Sequence, residues 1–217
     1  RDEATHALAR AVHLRPDNAR AHERLRKLYE SMGAHKELVA LLRWRLRTTP
    51  NSADAAALHL ELAELLEQQF LAVGEAVAHL EQVLHLDPSA VEAGDRLIEL
   101  YLRAGAWTRA AELIEFELAR TEPAQSRTRV AELHRRLAEI ESEQRHDVAA
   151  AARHLQAALK VVPDDIAALR AFGVLYLAAG KASDDGVSKA SDIFYKAAEL
   201  ARRRGDKTRA LKLLRRA

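Results

Sequence analysis

Five prolines punctuate the chain at Pro16, Pro50, Pro88, Pro123 and Pro163, at intervals of 34, 38, 35 and 40 residues. A proline has no N–H and turns the preceding residue away from the helical region, so each one closes a helical run. Residues able to cap the next helix follow at Asp17 and Asn18, Asn51 and Ser52, Ser89, and Asp164 and Asp165. A second breaker stands near the middle of most intervals, at Gly33, Gly74, Gly105 and Gly180. The fourth interval has the weaker stop Arg145-His146-Asp147 in that place. Each interval thus has room for one helix, a turn and a second helix.

The apolar spacing agrees. Ala21, Leu25, Leu28, Tyr29 and Met32 fall on one face of a 3.6-residue period. Ala93, Leu97, Leu100, Tyr101 and Ala104 repeat the stripe, and so do Ala168, Phe172, Leu175, Tyr176 and Ala179. No alternating run reads as a strand, and Ala, Leu, Glu and Arg dominate. The spacing predicts helices over 2–14, 18–32, 35–48, 52–70, 75–86, 89–104, 107–121, 124–144, 147–161, 164–179, 188–204 and 206–217. One helix pair of this length cannot bury its own apolar face, so it must stack on the next. The expected fold is an all-α solenoid filling residues 1–217 as one domain. Its pairs are 18–48, 52–86, 89–121, 124–161 and 164–204, with single helices at 2–14 and 206–217.

Composition removes several function classes. The 217 residues include no cysteine, so disulfides, zinc–thiolate sites and thiol chemistry are excluded. A net charge of +2 excludes a polynucleotide-binding arm spread over the whole chain. No apolar run approaches the length of a membrane span, and the opening Arg1-Asp2-Glu3 is not a signal peptide, so a cytoplasmic location is expected. An unpaired opening helix, and a last one that ends among Leu211, Leu213 and Leu214, lead us to expect a slice of a longer array.

The segments Leu28-Tyr29-x3-Gly33, Leu100-Tyr101-x3-Gly105 and Leu175-Tyr176-x3-Gly180 resemble the first helix of a tetratricopeptide repeat. Phe172-Gly173 matches the small-residue position of that helix. Ala76, Leu80 and Val83, and again Ala190, Phe194 and Ala197, resemble its second helix. Arg26 and Ile98 depart at the small-residue position, and Leu38 stands where alanine is usual. The resemblance implies a right-handed α-α superhelix of stacked pairs with Tyr29, Tyr101 and Tyr176 as packing residues. It also implies a non-catalytic scaffold that holds a partner protein or peptide on its concave face. The alternation of longer and shorter repeats is similar to arrays in large, Ala- and Arg-rich bacterial proteins of the myxobacterial type.

That alternation is an internal duplication. Leu58, His59, Leu62, Ala63, Glu64 and Gln69 recur 75 residues later as Leu133, His134, Leu137, Ala138, Glu139 and Gln144. The same offset carries His79, Leu80 and Pro88 onto His154, Leu155 and Pro163. The ten histidines include no i, i+4 pair and no His-Glu-x-x-His, so His59, His79, His134 and His154 read as packing or surface residues and no metal site is expected. No Gly-x-Ser-x-Gly or phosphate-cradling loop is present; neither catalytic residues nor a cofactor are expected. Trp107, which follows the Gly105 turn at the start of a second helix, should plug the junction with the next pair, and Trp44 reads as packed more than as a binding anchor.

Two surfaces stand out. Away from the packed stripe, first helices read Arg24, Lys27 and Glu30, then Arg96, Glu99 and Leu102, then Ala171, Val174 and Leu177. The groove should therefore turn apolar toward the fifth pair, with Leu102, Val174 and Leu177 as anchors and Arg103 and Arg170 on the rim. The alternative cover for that face is the last two helices or the loop 181–187. Residues 188–217 carry ten Lys and Arg against three Asp and Glu, a net +7. Arg202, Arg203, Arg204, Lys207, Arg209, Lys212, Arg215 and Arg216 form this possible electrostatic patch. A partner protein within a larger complex is the leading reading. A structural part joined through its ends, or a nucleic-acid-binding solenoid using the basic helices, are the alternatives.

Overall fold

The computed structural model describes residues 2–16, 18–48, 52–122, 124, 126–179 and 184–215. Among them every regular element is a helix: α1 (Asp2–Leu14), α2 (Ala19–Met32), α3 (His35–Thr48), α4 (Ser52–Phe70), α5 (Val73–Leu86), α6 (Val91–Arg103), α7 (Trp107–Arg120), α8 (Arg127–Glu143), α9 (Val148–Val161), α10 (Ile166–Ala179), α11 (Asp184–Arg203) and α12 (Lys207–Leu214). The expected pattern is present with local corrections. Helix α11 starts at Asp184, four residues before the expected Ser188, so part of the expected loop 181–187 is helical. Pro16, Pro88 and Pro163 follow the ends of α1, α5 and α9, as proline punctuation requires. Pro50, Pro123 and Gly180 lie outside the described residues.

Turn chemistry explains which breakers act. Gly33 takes φ +63°, its N–H bonds to the Glu30 carbonyl at 3.0 Å, and the Ala34 N–H bonds to the Tyr29 carbonyl at 2.9 Å. That pair of bonds is a Schellman cap, which needs a left-handed residue. Gly205, at φ +81°, repeats it between α11 and α12. Gly74, read as a breaker, instead lies inside α5. The left-handed residue before α5 is Leu71 at φ 52°, and its counterpart 75 residues on is His146 at φ 55°. The sequence marks only the second of these turns, at Arg145-His146-Asp147; Leu71 carries no turn signal. Asn18, Asp147, Asp165 and Asp206 cap α2, α9, α10 and α12 through their side chains. Ser89 does not cap α6; Asp87 takes both its N–H and its hydroxyl.

The chain forms two compact units, residues 1–104 and 105–217. Within each unit every helix packs on the next one along the chain. In the first unit the core joins Val12, Ala21, Leu25 and Leu41, then Leu38, Leu42, Leu58 and Leu62. In the second it joins Ala131, Ala138, Ala151 and Leu155, then Leu169, Ala190, Phe194 and Ala197. Most of the three apolar stripes are buried, but Met32 and Ala104 are exposed. Gly173 is needed for packing: a Cβ there would lie 2.8 Å from the Phe194 ring.

Candidate partner-binding groove

In the second unit α8 touches both α9 and α10, and α9 touches α10. An open groove of about 690 Å³ lies among the three helices, within the usual range of ligand clefts, about 300–1,000 Å³. Its space comes from side-chain size. Ala167, Ala171 and Ala178 face it from α10, and Ala151 and Leu155 line it from α9. Val174 is 45% exposed and Val148 is 41% exposed, so apolar surface reaches the opening.

Asp165 ties the start of α10 to α8. Its Oδ1 caps α10 by accepting from the Ala167 and Ala168 N–H groups at 2.9 and 3.1 Å. Its Oδ2 lies 3.0 Å from Arg135 Nε on α8, an ion pair whose N–H is not aimed at the carboxylate. Arg136 is held by Glu132 at 2.8 Å, and Arg129 pairs with Glu117 of α7. Three groove residues keep charges with no side-chain partner among the described residues: Glu139 and Glu143 on α8, and Arg170 on α10. The groove thus offers an apolar bed, two carboxylates and one guanidinium.

Of the expected contact residues, the structure brings Arg170 and Val174 together on this groove. Leu177 is half-buried against the core that holds Phe194, so it packs inward and lines no part of the groove. The cover for that side of α10 is α11, as the alternative reading had it. Leu102 and Arg103 belong to the first unit, where Leu102 is half-buried and Arg103 pairs with Glu67. Tyr101 is buried and its hydroxyl donates to Glu81 at 2.5 Å. Tyr29 and Tyr176 are half-buried beside core clusters, and Gly105 (φ +71°) precedes Trp107, which packs back toward it. Trp44 stacks on His22 and His13, with ring centroids at 5.1 and 6.3 Å.

The expected basic patch is exposed along α11 and α12. Arg203 pairs with Glu199, and Arg204 with Asp164. Arg202, Lys207, Arg209, Lys212 and Arg215 have no ion-pair partner among the described residues, and Arg216 lies outside them. Leu211, 61% exposed, sits amid these cations.

The repeated histidines form pairs that sequence spacing did not reveal. His59 and His79 bring their Nδ1 atoms to 2.7 Å between α4 and α5, and His134 and His154 bring theirs to 3.3 Å between α8 and α9. Burial lowers the pKa of all four imidazoles. The neighbouring imidazole adds to this at His79 and His134. Glu141 and Glu115 oppose it at His154, and Glu75 opposes it at His79. No three metal-ligating side chains converge among the described residues.

No protein-family model matches the chain, and no curated protein matches it. Solved structures do. The C-terminal part of a TPR repeat-containing protein from Cytophaga hutchinsonii aligns with TM-score 0.64 and 12% identity, covering 94% of this chain and 75% of that one. The MamA protein aligns with TM-score 0.61 and 14% identity, over 86% of this chain and 93% of its own. Human IFIT1, solved as a dimer with PPP-AAAA, aligns with TM-score 0.55 and 18% identity over 90% of this chain, which spans 46% of that protein. The fold is a tetratricopeptide-type α-solenoid. At these identities the likeness concerns the fold alone. Among the described residues, no helix is long and apolar enough to cross a membrane.

Proposed function

We propose that the protein is a non-catalytic interaction scaffold and that the α8–α10 groove holds a peptide or helix of a partner protein. One observation carries this reading. The groove combines exposed Val174 and Val148 with the charges of Glu139, Glu143 and Arg170, which have no side-chain partner among the described residues. Apolar surface gains by leaving water, and unpartnered charges at its rim select and orient what covers it. The tetratricopeptide-type fold supports a binding role, since such helix pairs present continuous surfaces for partners. Val174 is the anchor and Arg170 a rim contact; Leu102, Arg103 and Leu177 have no part in this site. The expected outcome is that displayed peptides selected on the protein shift the amide resonances of α8–α10, and that Val174→Asn weakens them at least roughly tenfold, a loss of about 1.4 kcal/mol. Shifts confined to other helices would sink the assignment.

A second reading rests on Arg202, Lys207, Arg209, Lys212 and Arg215, which have no ion-pair partner among the described residues and suit an acidic partner or a polyanion. The IFIT1 structure carries PPP-AAAA, so nucleic acid is the polyanion to test first. Phosphate-driven binding would collapse between about 50 and 200 mM salt. Binding in the groove would fall far less.

A further inference from the structure

The two units carry the same frame, and the first shows how the space beside the long helix is filled when the chain fills it itself. There, Arg96 of α6 reaches Glu64 and Glu67 of α4 at 3.8 and 3.5 Å, and Arg103 of α6 pairs with Glu67 as well. These two arginines stand two helical turns apart on one face of α6. Carried forward by 75 residues, their positions are Ala171 and Ala178, both of which line the open groove. Glu64 becomes Glu139, which keeps its carboxylate but has no cation among the described residues, and Glu67 becomes Ser142, with Glu143 beside it. The second unit therefore retains acid on α8 and has lost the arginines that would meet it.

We infer that the groove's occupant is a basic segment, whose Arg or Lys side chains enter over Ala171 and Ala178 to meet Glu139 and Glu143. This rests on the reading of the groove as a partner site and adds the chemistry of the partner. Charge placement selects the cation. Arg135 and Arg136 are already engaged by Asp165 and Glu132, so they do not cancel the two free carboxylates. Arg170 is the one free cation of the groove among the described residues, and it asks for a carboxylate next to the occupant's basic residue. An arginine suits the site better than a lysine, because its planar fork can serve two carboxylates at once.

The test uses the full chain and a phage-displayed library of random peptides at low salt. Retained peptides should be enriched in Arg and Lys over the input library. Their affinity should fall at least roughly tenfold in Glu139→Gln/Glu143→Gln, whose exposed positions leave the fold intact, and fall again on raising the salt. Ala171→Arg should close the groove from within and compete with the same peptides. Peptides lost on Val174→Asn but lacking basic residues would overturn this inference while leaving the groove assignment standing. Equal binding by the Gln variant would overturn it too. If no peptide is retained at the groove, both fall.

Discussion

The two units share a blueprint and differ in what fills it. Leu58, Leu62, Ala63, Ala76 and Leu80 are buried in the first, and Leu133, Leu137, Ala138, Ala151 and Leu155 are buried in the second. Both units place a left-handed residue at the same turn and bring two imidazoles together across the two helices that this turn joins. The difference lies on the outward positions. In the first unit Arg26 binds Glu23, Glu30 and Glu61, and Arg96 and Arg103 bind Glu64 and Glu67 of α4. In the second, alanines replace the two bridging arginines and a groove opens. A duplicated frame thus keeps its core register, because buried methylenes must fit. Exposed ion pairs are each worth little, so those positions are free to diverge into a site.

The largest expected effect tests the core that the second unit does not share. Phe194 is fully buried, so Phe194→Ala should cost about 3–5 kcal/mol in urea unfolding. A cost near zero would mean that α10 and α11 are not held as described. Gly173→Ala is the next. Its new Cβ would meet the Phe194 ring at 2.8 Å, and overpacking of this kind costs about 1–3 kcal/mol. The counterpart in the first unit is the fully buried Ile98, so Ile98→Val should instead cost only about 0.5–1.5 kcal/mol, as a small cavity does.

Acid should act on both units. The four paired imidazoles have folded-state pKa values below the ordinary 6.5, so the folded chain holds fewer protons than the unfolded one. Their stabilising contribution is complete above pH 6.5 and is lost as pH falls below it through the folded-state values. A first proton leaves the N–H···N contact possible, and a second sets two N–H groups against each other, so each pair titrates as a unit. Urea midpoints measured from pH 7.5 to 5 should fall in the native chain. They should fall less in His59→Gln/His79→Gln and in His134→Gln/His154→Gln. An unchanged slope in both variants would show that the pairs carry none of the acid sensitivity.

The smallest effect on stability is the sharpest on the comparison. Arg96→Ala/Arg103→Ala should cost only about 0–2 kcal/mol, since both arginines pair near the surface. It should nevertheless leave the carboxylates of Glu64 and Glu67 with no arginine and create in the first unit a counterpart of the second unit's groove. Peptides selected on the native groove should then shift resonances of α4 and α6 as well. If they do not, more than two arginines separates the two units.

Sequence by itself determined the helical architecture. The proline intervals, the 3.6-residue stripes and the Leu-Tyr-x3-Gly segments are local signals, each acting within a few turns of chain, and helices with Schellman caps form from local rules. The 75-residue offset was equally legible, because buried leucines and alanines at fixed spacing admit few replacements. That Val174 and Arg170 lie on an outward face of α10 could be read from the loss of polarity along the first helices. Leu177 could not be excluded in the same way: whether an apolar face of α10 is groove or core depends on where α11 lies, a long-range fact. Leu71 as a left-handed turn and Gly74 as a helical residue run against local propensity and carried no local signal, whereas Arg145-His146-Asp147 reads as a stop. The histidine pairs and the ion pairs of Arg96 with α4 join residues that approach only when α4, α5 and α6 have stacked. Helix periodicity says which way a side chain points; only the packed helices say what it meets there.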